Sequence, residues 1–279
     1  MENSICVKQT RIKDNFFMGL IYLSAFIAVG LLVGIICYVA FRGVSSISWQ
    51  FLSTTLEGTF GILGNIVNTL YIIVITLIIA TPIGIGAAVY LTEYAKPGKI
   101  VSLIEFTTET LAGIPSIIYG LFGMVFFGIS LHLGYSILCG SLTLTLMVLP
   151  IIIRTTQEAL KTVPLGYRTG ALGIGATKWY MIRTIILPSA MPGIVTAVIL
   201  SVGRIVGESA ALLFTAGSAY LLPKNLFSHV LTSGGTLTIQ MYLSMSKADY
   251  GNAFAIALVL IVVVLAINAL TKVATKKLS

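Results

Sequence analysis

The strongest constraint on the fold comes from long apolar runs that contain no charge. Residues Phe16–Phe41 and Ile66–Leu91 each form such a run of 26 residues. A helix needs about 20 apolar residues to cross the hydrocarbon core of a bilayer. Only 9% of the 279 residues are charged and 57% are hydrophobic, whereas a soluble domain has about 25% charged residues. The composition therefore excludes a soluble enzyme and indicates an all-α integral membrane protein.

The hydropathy pattern predicts six spanning helices. The run Thr110–Ile153 is long enough for two spans, joined by a polar turn at Ser130–Tyr135. The predicted spans are Phe16–Phe41, Ile66–Leu91, Leu111–Ile129, Tyr135–Ile153, Ser189–Ala216 and Asn252–Leu270. A transmembrane domain of residues 16–271 would then lie between short tails at 1–15 and 272–279. The first run is too long for a cleavable signal, so we expect it to remain as an anchor.

The basic residues predict the orientation. Six spans place both termini on one side, together with 13 of the 17 Lys and Arg residues, Lys277 included. Three, among them Lys224, would lie on the other side, and Arg204 lies within a span. Cytoplasmic loops are enriched in Lys and Arg. We therefore predict cytoplasmic termini, and attribute the net charge of +8 to membrane orientation rather than to nucleic-acid binding.

The segment 154–188 is the longest loop predicted on the cytoplasmic side. Its pattern predicts a short helix at Leu165–Leu172, a glycine-rich turn at 173–175 and a second helix at Ala176–Ile186. Pro188 would then begin the fifth span. The sequence has no G-x-x-x-x-G-K-[ST] phosphate loop. We therefore expect a chain that is not itself an enzyme and has no nucleotide site of its own.

This loop resembles the signature EAA-x3-G-x9-I-x-LP of ABC-importer permeases. Gly175 matches the glycine, and Ile185, Leu187 and Pro188 follow in register, while Thr169 and Gly170 replace the usual Glu-Ala. The resemblance implies a coupling helix that sits in a groove of an ATPase. It assigns this coupling to Arg168, Thr169, Gly170, Ala171, Gly175, Ala176, Thr177, Lys178, Trp179, Ile185, Leu187 and Pro188. The alternative is a basic hairpin that serves orientation alone.

Other segments extend the resemblance to about three-quarters of the chain. They are YLTEYAKPG at 90–98, ETLAGIPSIIYGLFG at 109–123, EALKTVP at 158–164 and GRIVGESAALLFTAG at 203–217. They resemble permeases of the phosphate-specific ABC importer, and the last is closer to the PstA type than to the PstC type.

The resemblance implies a type I ABC-importer permease fold in a bacterial inner membrane. It also implies a PstC-like permease partner, two PstB-like ATPase subunits that bind ATP and Mg²⁺, and an extracytoplasmic phosphate-binding protein. The substrate is then inorganic phosphate, and the chain is surrounded by membrane lipid. An importer of another tetrahedral oxyanion, such as sulfate or molybdate, remains open.

Arg204 and Glu208 are the two charges predicted within a span. Charges inside a membrane are costly and usually face a cavity or a partner. On a continuous helix the two side chains would share one face, in the weaker order for an ion pair. We predict that the Arg204 fork binds a phosphate oxyanion and that Glu208 holds Arg204 between transport events. The alternatives are a structural pair facing the partner permease and a proton relay in an ion-coupled transporter, which would usually carry more intramembrane carboxylates.

The remaining candidate residues favour no cofactor. Three scattered cysteines indicate neither a disulfide framework nor a metal site. His132 and His229 are far apart, and we interpret each as an isolated polar side chain near a membrane edge. Ser116 follows Pro115 and is a candidate for the pathway lining. A purely structural or signalling subunit would not explain the coupling signature.

Overall fold

The computed structural model describes residues 2–53, 61–96, 98–220, 222, 225 and 228–276. Lys224 and Lys277, which were counted for the orientation, lie outside these residues, as do segments 54–60 and 277–279. The helices are α1 (Glu2–Val44), α2 (Trp49–Ser53), α3 (Leu63–Tyr94), α4 (Lys99–Ala112), α5 (Ser116–Ser130), α6 (Ile137–Thr162), α7 (Leu165–Gly173), α8 (Lys178–Val206), α9 (Ala210–Thr215), α10 (Leu237–Ser246) and α11 (Tyr250–Lys276).

The core of the bundle is formed by α3, α6 and α8. Helix α6 packs between the other two, and glycines allow a close approach on both sides. A Cβ at Gly84 of α3 would lie 2.9 Å from Cβ of Ile152, and Gly193 of α8 leaves room for Ala159. Small residues at helix contacts are typical of membrane proteins, because they let backbones come close. The apolar part of α1 is almost entirely exposed and belongs to no core cluster.

The third span differs from its prediction. Instead of one helix over Leu111–Ile129, α4 and α5 meet at an angle of 100°. The break falls at Gly113–Pro115, where the proline disfavours helical geometry for the residue before it. With 15 residues, α5 is about 22 Å long and too short to cross the core alone. Within the described residues, five helices are long and apolar enough to span a membrane, and the number is six if the bent pair counts as one span.

The fifth span also differs from the prediction Ser189–Ala216. Helix α8 begins at Lys178, ends at Val206 and includes a π-helical turn at Ile182–Ile186. Pro188 is therefore inside the helix rather than at its start, two residues beyond the turn where the hydrogen-bond pattern shifts. A break at 207–209 separates α8 from the short helix α9.

A polar segment that includes Gly235 and Leu237 folds back onto the end of the bundle opposite the turn between α7 and α8. The side-chain amide of Asn65 donates to the carbonyl of Gly235 over 2.9 Å, and the hydroxyl of Thr69 accepts from the N–H of Leu237 over 3.0 Å. From the sequence alone, the segment Gly217–Tyr250 is expected to form a loop with one short interfacial helix on the outer side. The structure has α10 and an additional 3-10 turn at Ser228–Leu231.

Candidate functional site

The turn between α7 and α8 is built around Gly175. Its φ of 84° lies in the left-handed region, which costs other L-residues about 1–2 kcal/mol. Its N–H donates to the carbonyl of Leu172 and the N–H of Ala176 to that of Ala171, each over 3.0 Å. This pattern is a Schellman motif, in which glycine ends the helix. The hydroxyl of Thr177 then caps α8 by accepting from the N–H of Tyr180 over 3.3 Å.

The loop presents large apolar side chains to its surroundings. Ile174 is 87% exposed and Trp179 is 60% exposed, and Leu165, Tyr167, Leu172 and Tyr180 are exposed beside them. Exposed apolar patches of this kind mark contact surfaces. Of the twelve predicted coupling residues, seven are exposed: Thr169, Gly170, Gly175, Thr177, Lys178, Trp179 and Pro188. Ala176, Ile185 and Leu187 are half-buried, and Ala171 packs in the core beneath the loop.

Arg168 is the predicted coupling residue whose side chain turns inward. Its Nε and Nη2 donate to Oε1 of Glu93 over 3.1 and 2.8 Å. Its Nη1 donates to the carbonyl of Val163 over 2.7 Å, and Nη2 to that of Leu160 over 2.8 Å. The two side chains are 16% and 5% exposed. Glu93 was not singled out from the sequence, although it is an isolated carboxylate at the end of an apolar run.

The two charges assigned to the substrate pathway do not share a helix face, which corrects the prediction. Arg204 is near the end of α8 and is exposed, whereas Glu208 lies in the break after it and is 7% exposed. Oε1 of Glu208 accepts from the N–H of Ala211 over 3.0 Å, so it caps α9. Among the described ion pairs, none joins Arg204 to Glu208. The assumed continuous helix was wrong because α8 ends at Val206.

Tyr119 belongs to the same region, and the sequence did not indicate it. Its buried hydroxyl donates to the carbonyl of Leu111 over 2.8 Å. A Cβ at the adjacent Gly120 would lie 2.8 Å from Cα of Ala211. The break at 113–115 and the break at 207–209 are thus connected through α5 and α9. Ser116 begins α5 at the first break and is half-buried.

The two histidines differ in their burial and in their hydrogen bonds. His132 is exposed in the turn between α5 and α6, as predicted. His229 is 5% exposed and is not an isolated side chain: its Nε2 hydrogen-bonds to Oδ1 of Asn68 over 2.7 Å, and its Nδ1 to the hydroxyl of Thr232 over 3.1 Å. The interpretation failed because Asn68 is 161 residues away in sequence.

These features define a multi-pass helical membrane protein with an exposed helix–turn–helix loop. The chain belongs to the family of binding-protein-dependent transport system inner membrane components, whose family model matches residues 80–279. Membership places it in a transporter complex with an ATPase and a substrate-binding protein.

Two relatives and one solved structure support this assignment. The probable ABC transporter permease protein YqgI of Bacillus subtilis is 39% identical over 74% of this chain and 71% of its own length. The phosphate transport system permease protein PstA of Mycobacterium leprae is 31% identical over 92% of this chain and 87% of its own. A bacterial alginate ABC transporter shares the fold, with a TM-score of 0.68, 18% identity and 94% coverage of both chains. The fold is that of type I ABC-importer permeases.

Proposed function

We propose that the chain is the PstA-type permease of an ATP-driven importer that moves inorganic phosphate into the cytoplasm. The observation that carries the proposal is the exposed loop around Gly175. The chain that bears this loop is also similar to a named phosphate permease over most of that protein's length. The loop supplies the ATPase contact, and the sequence similarity supports phosphate as the substrate.

The proposed assembly follows from this role. The termini and the 154–188 loop face the cytoplasm of a bacterial inner membrane, in agreement with the distribution of basic residues. A PstC-like permease completes the pathway, two PstB-like ATPases bind ATP and Mg²⁺, and an extracytoplasmic protein delivers phosphate. The exposed side chains of Ile174 and Trp179 fit a groove on the ATPase, because burial of apolar surface stabilises such contacts. This chain itself contributes no nucleotide site and needs no cofactor.

Arg204 is the residue that we assign to the anion. Its guanidinium is exposed on the isolated chain, near the two connected helix breaks. A planar fork of N–H donors matches two oxygens of a phosphate. Glu208 is assigned a different role from the one expected: its carboxylate fixes the start of α9 and so positions the break beside Arg204.

Uptake into proteoliposomes tests the proposal. The complex is purified through a tag on this chain, with ATP on the ATPase side and the phosphate-binding protein on the other. We expect ATP-dependent uptake of labelled phosphate that excess sulfate or molybdate does not reduce. ATP-dependent uptake of one of those anions instead would contradict the substrate. Uptake driven by an ion gradient without ATP would contradict the ATP-driven mechanism.

A further inference from the structure

Arg168 connects three separate elements of the chain. The residue belongs to α7 in the loop, and its guanidinium binds the Glu93 carboxylate in the π-helical last turn of α3. It also binds the carbonyls of Leu160 and Val163 at the end of α6. The last carbonyls of a helix have no partner within that helix and carry partial negative charge, so a cation is favoured there.

The hydrogen bonds of Arg168 fix the position of the loop more strictly than apolar packing does. Beneath the loop, Ala171 and Met181 pack with Val89 and Leu160 in a buried cluster. Such contacts are not directional, and packed helices can slide by small distances. A guanidinium held by a carboxylate and two carbonyls has a fixed geometry. The loop therefore cannot shift relative to α3 and α6 without breaking hydrogen bonds of a buried charge, which is unfavourable.

We propose that the Arg168–Glu93 pair transmits displacement of the coupling loop to α3 and α6. Arg168 is then a positioning residue within the permease and not, as the family signature implied, a contact of the ATPase. Glu93 is too deeply buried to touch another subunit, so its influence on transport passes through Arg168. The inference rests on the proposed coupling role of the loop.

The central test is Glu93→Gln in the reconstituted complex, with phosphate imported per ATP hydrolysed as the readout. This substitution keeps the shape of the side chain and removes its charge. We expect the ATPase to co-purify in the wild-type ratio and to hydrolyse ATP, while phosphate imported per ATP falls by about fivefold or more. Glu158→Gln is the matched control, because Glu158 is 64% exposed near the same end of the bundle. It should leave the ratio unchanged.

Two further variants complete the test. Arg168→Lys retains the charge but loses the fork, and we expect an intermediate loss. The double variant Glu93→Gln with Arg168→Lys should be no worse than Glu93→Gln alone, because both substitutions break the same link. If Glu93→Gln does not assemble, Arg168→Lys decides, with an unchanged phosphate-to-ATP ratio overturning the proposal.

The remaining outcomes distinguish failure of the Arg168–Glu93 link from failure of the proposed function. An unchanged ratio in an assembled Glu93→Gln complex, or additive losses in the double variant, would overturn the link. Loss of ATPase binding in Arg168→Lys would show a docking role instead and would also overturn it. Absence of ATP-dependent phosphate uptake in the wild type would contradict the proposed function itself, whatever the variants do.

Discussion

The hydroxyl of Tyr119 donates a hydrogen bond to the carbonyl oxygen of Leu111, 2.8 Å away, across the break between α4 and α5. In a continuous helix this carbonyl would accept from the residue four positions later, which is Pro115 and has no N–H. It also accepts from the N–H of Ile114 over 3.2 Å. The Tyr119 hydroxyl thus donates to the carbonyl that the proline leaves without its usual helical donor, and it ties α4 and α5 together across the bend.

Replacing Tyr119 by Phe should weaken the bend. The change removes one buried hydrogen bond, worth about 0.5–1.5 kcal/mol, and little volume. We expect a lower melting temperature of the purified complex and slower phosphate uptake. Tyr242→Phe is the control, since that tyrosine is 53% exposed on α10. Equal stability and uptake in the two variants would show that the Tyr119 hydroxyl has no such role.

The sequence predicted the continuous spans well and the broken ones poorly. Helix α3 extends three residues beyond each end of the predicted span, and α6 begins two residues after its predicted start and ends nine residues after its predicted end. The bend at Pro115 and the end of α8 at Val206 were missed. The bend has a local signal in Pro115. The break after α8 is held by a distant residue, Thr238, whose hydroxyl donates to the Glu208 carbonyl over 2.8 Å.

Substitution of Arg204 by Lys should impair transport more than assembly. Lysine keeps the positive charge but cannot offer two parallel N–H donors to phosphate. We expect normal recovery of the complex and a severalfold reduction in phosphate uptake at equal ATPase content. Arg183→Lys, an exposed arginine on the 154–188 loop, is the control. Wild-type uptake by Arg204→Lys would return Arg204 to a structural role.

Gly175→Asp should leave the protein inserted and uncouple ATP hydrolysis from transport. The left-handed φ of 84° is strained for a side chain, so the turn would shift and the exposed surface of α7 with it. Gly175→Asn should be milder, because asparagine tolerates this conformation best among the larger residues. Gly166→Ala is the control in α7, where a Cβ meets nothing within 4 Å. Normal uptake per ATP in Gly175→Asp would remove the turn from the coupling mechanism.

Gly64→Ala should destabilise the packing of the Tyr220 backbone against the start of α3. A Cβ at this position would overlap the backbone carbonyl of Tyr220, which cannot move aside as a flexible side chain could. Overpacking of this kind typically costs about 1–3 kcal/mol. A lower melting temperature and faster proteolysis of residues 217–236 are expected. Gly86→Ala on the same helix is the control, with nothing within 4 Å, and equal behaviour of the two variants would argue against tight packing at Gly64.

The functional site was also predicted only in part, because some of its features depend on residues far apart in the sequence. The glycine turn follows from local spacing, and the structure agrees with it. The inward orientation of Arg168 could not be predicted, because its partner Glu93 lies 75 residues earlier in the chain. A charge within a family signature looks the same in sequence whether it faces a partner subunit or the interior.

Stability should decrease as the pH is lowered below about 6.5, and His229 should contribute to this decrease. Burial lowers the pKa of His229 in the folded chain. Between the lowered pKa and the ordinary pKa, the unfolded state binds more protons than the folded state. The free energy of unfolding therefore decreases as the pH decreases. Melting temperatures at pH 7.5 and 5.5 check this. The difference should be smaller in His229→Gln, because glutamine does not titrate. An equal loss in His229→Gln and wild type would assign the acid sensitivity to other groups.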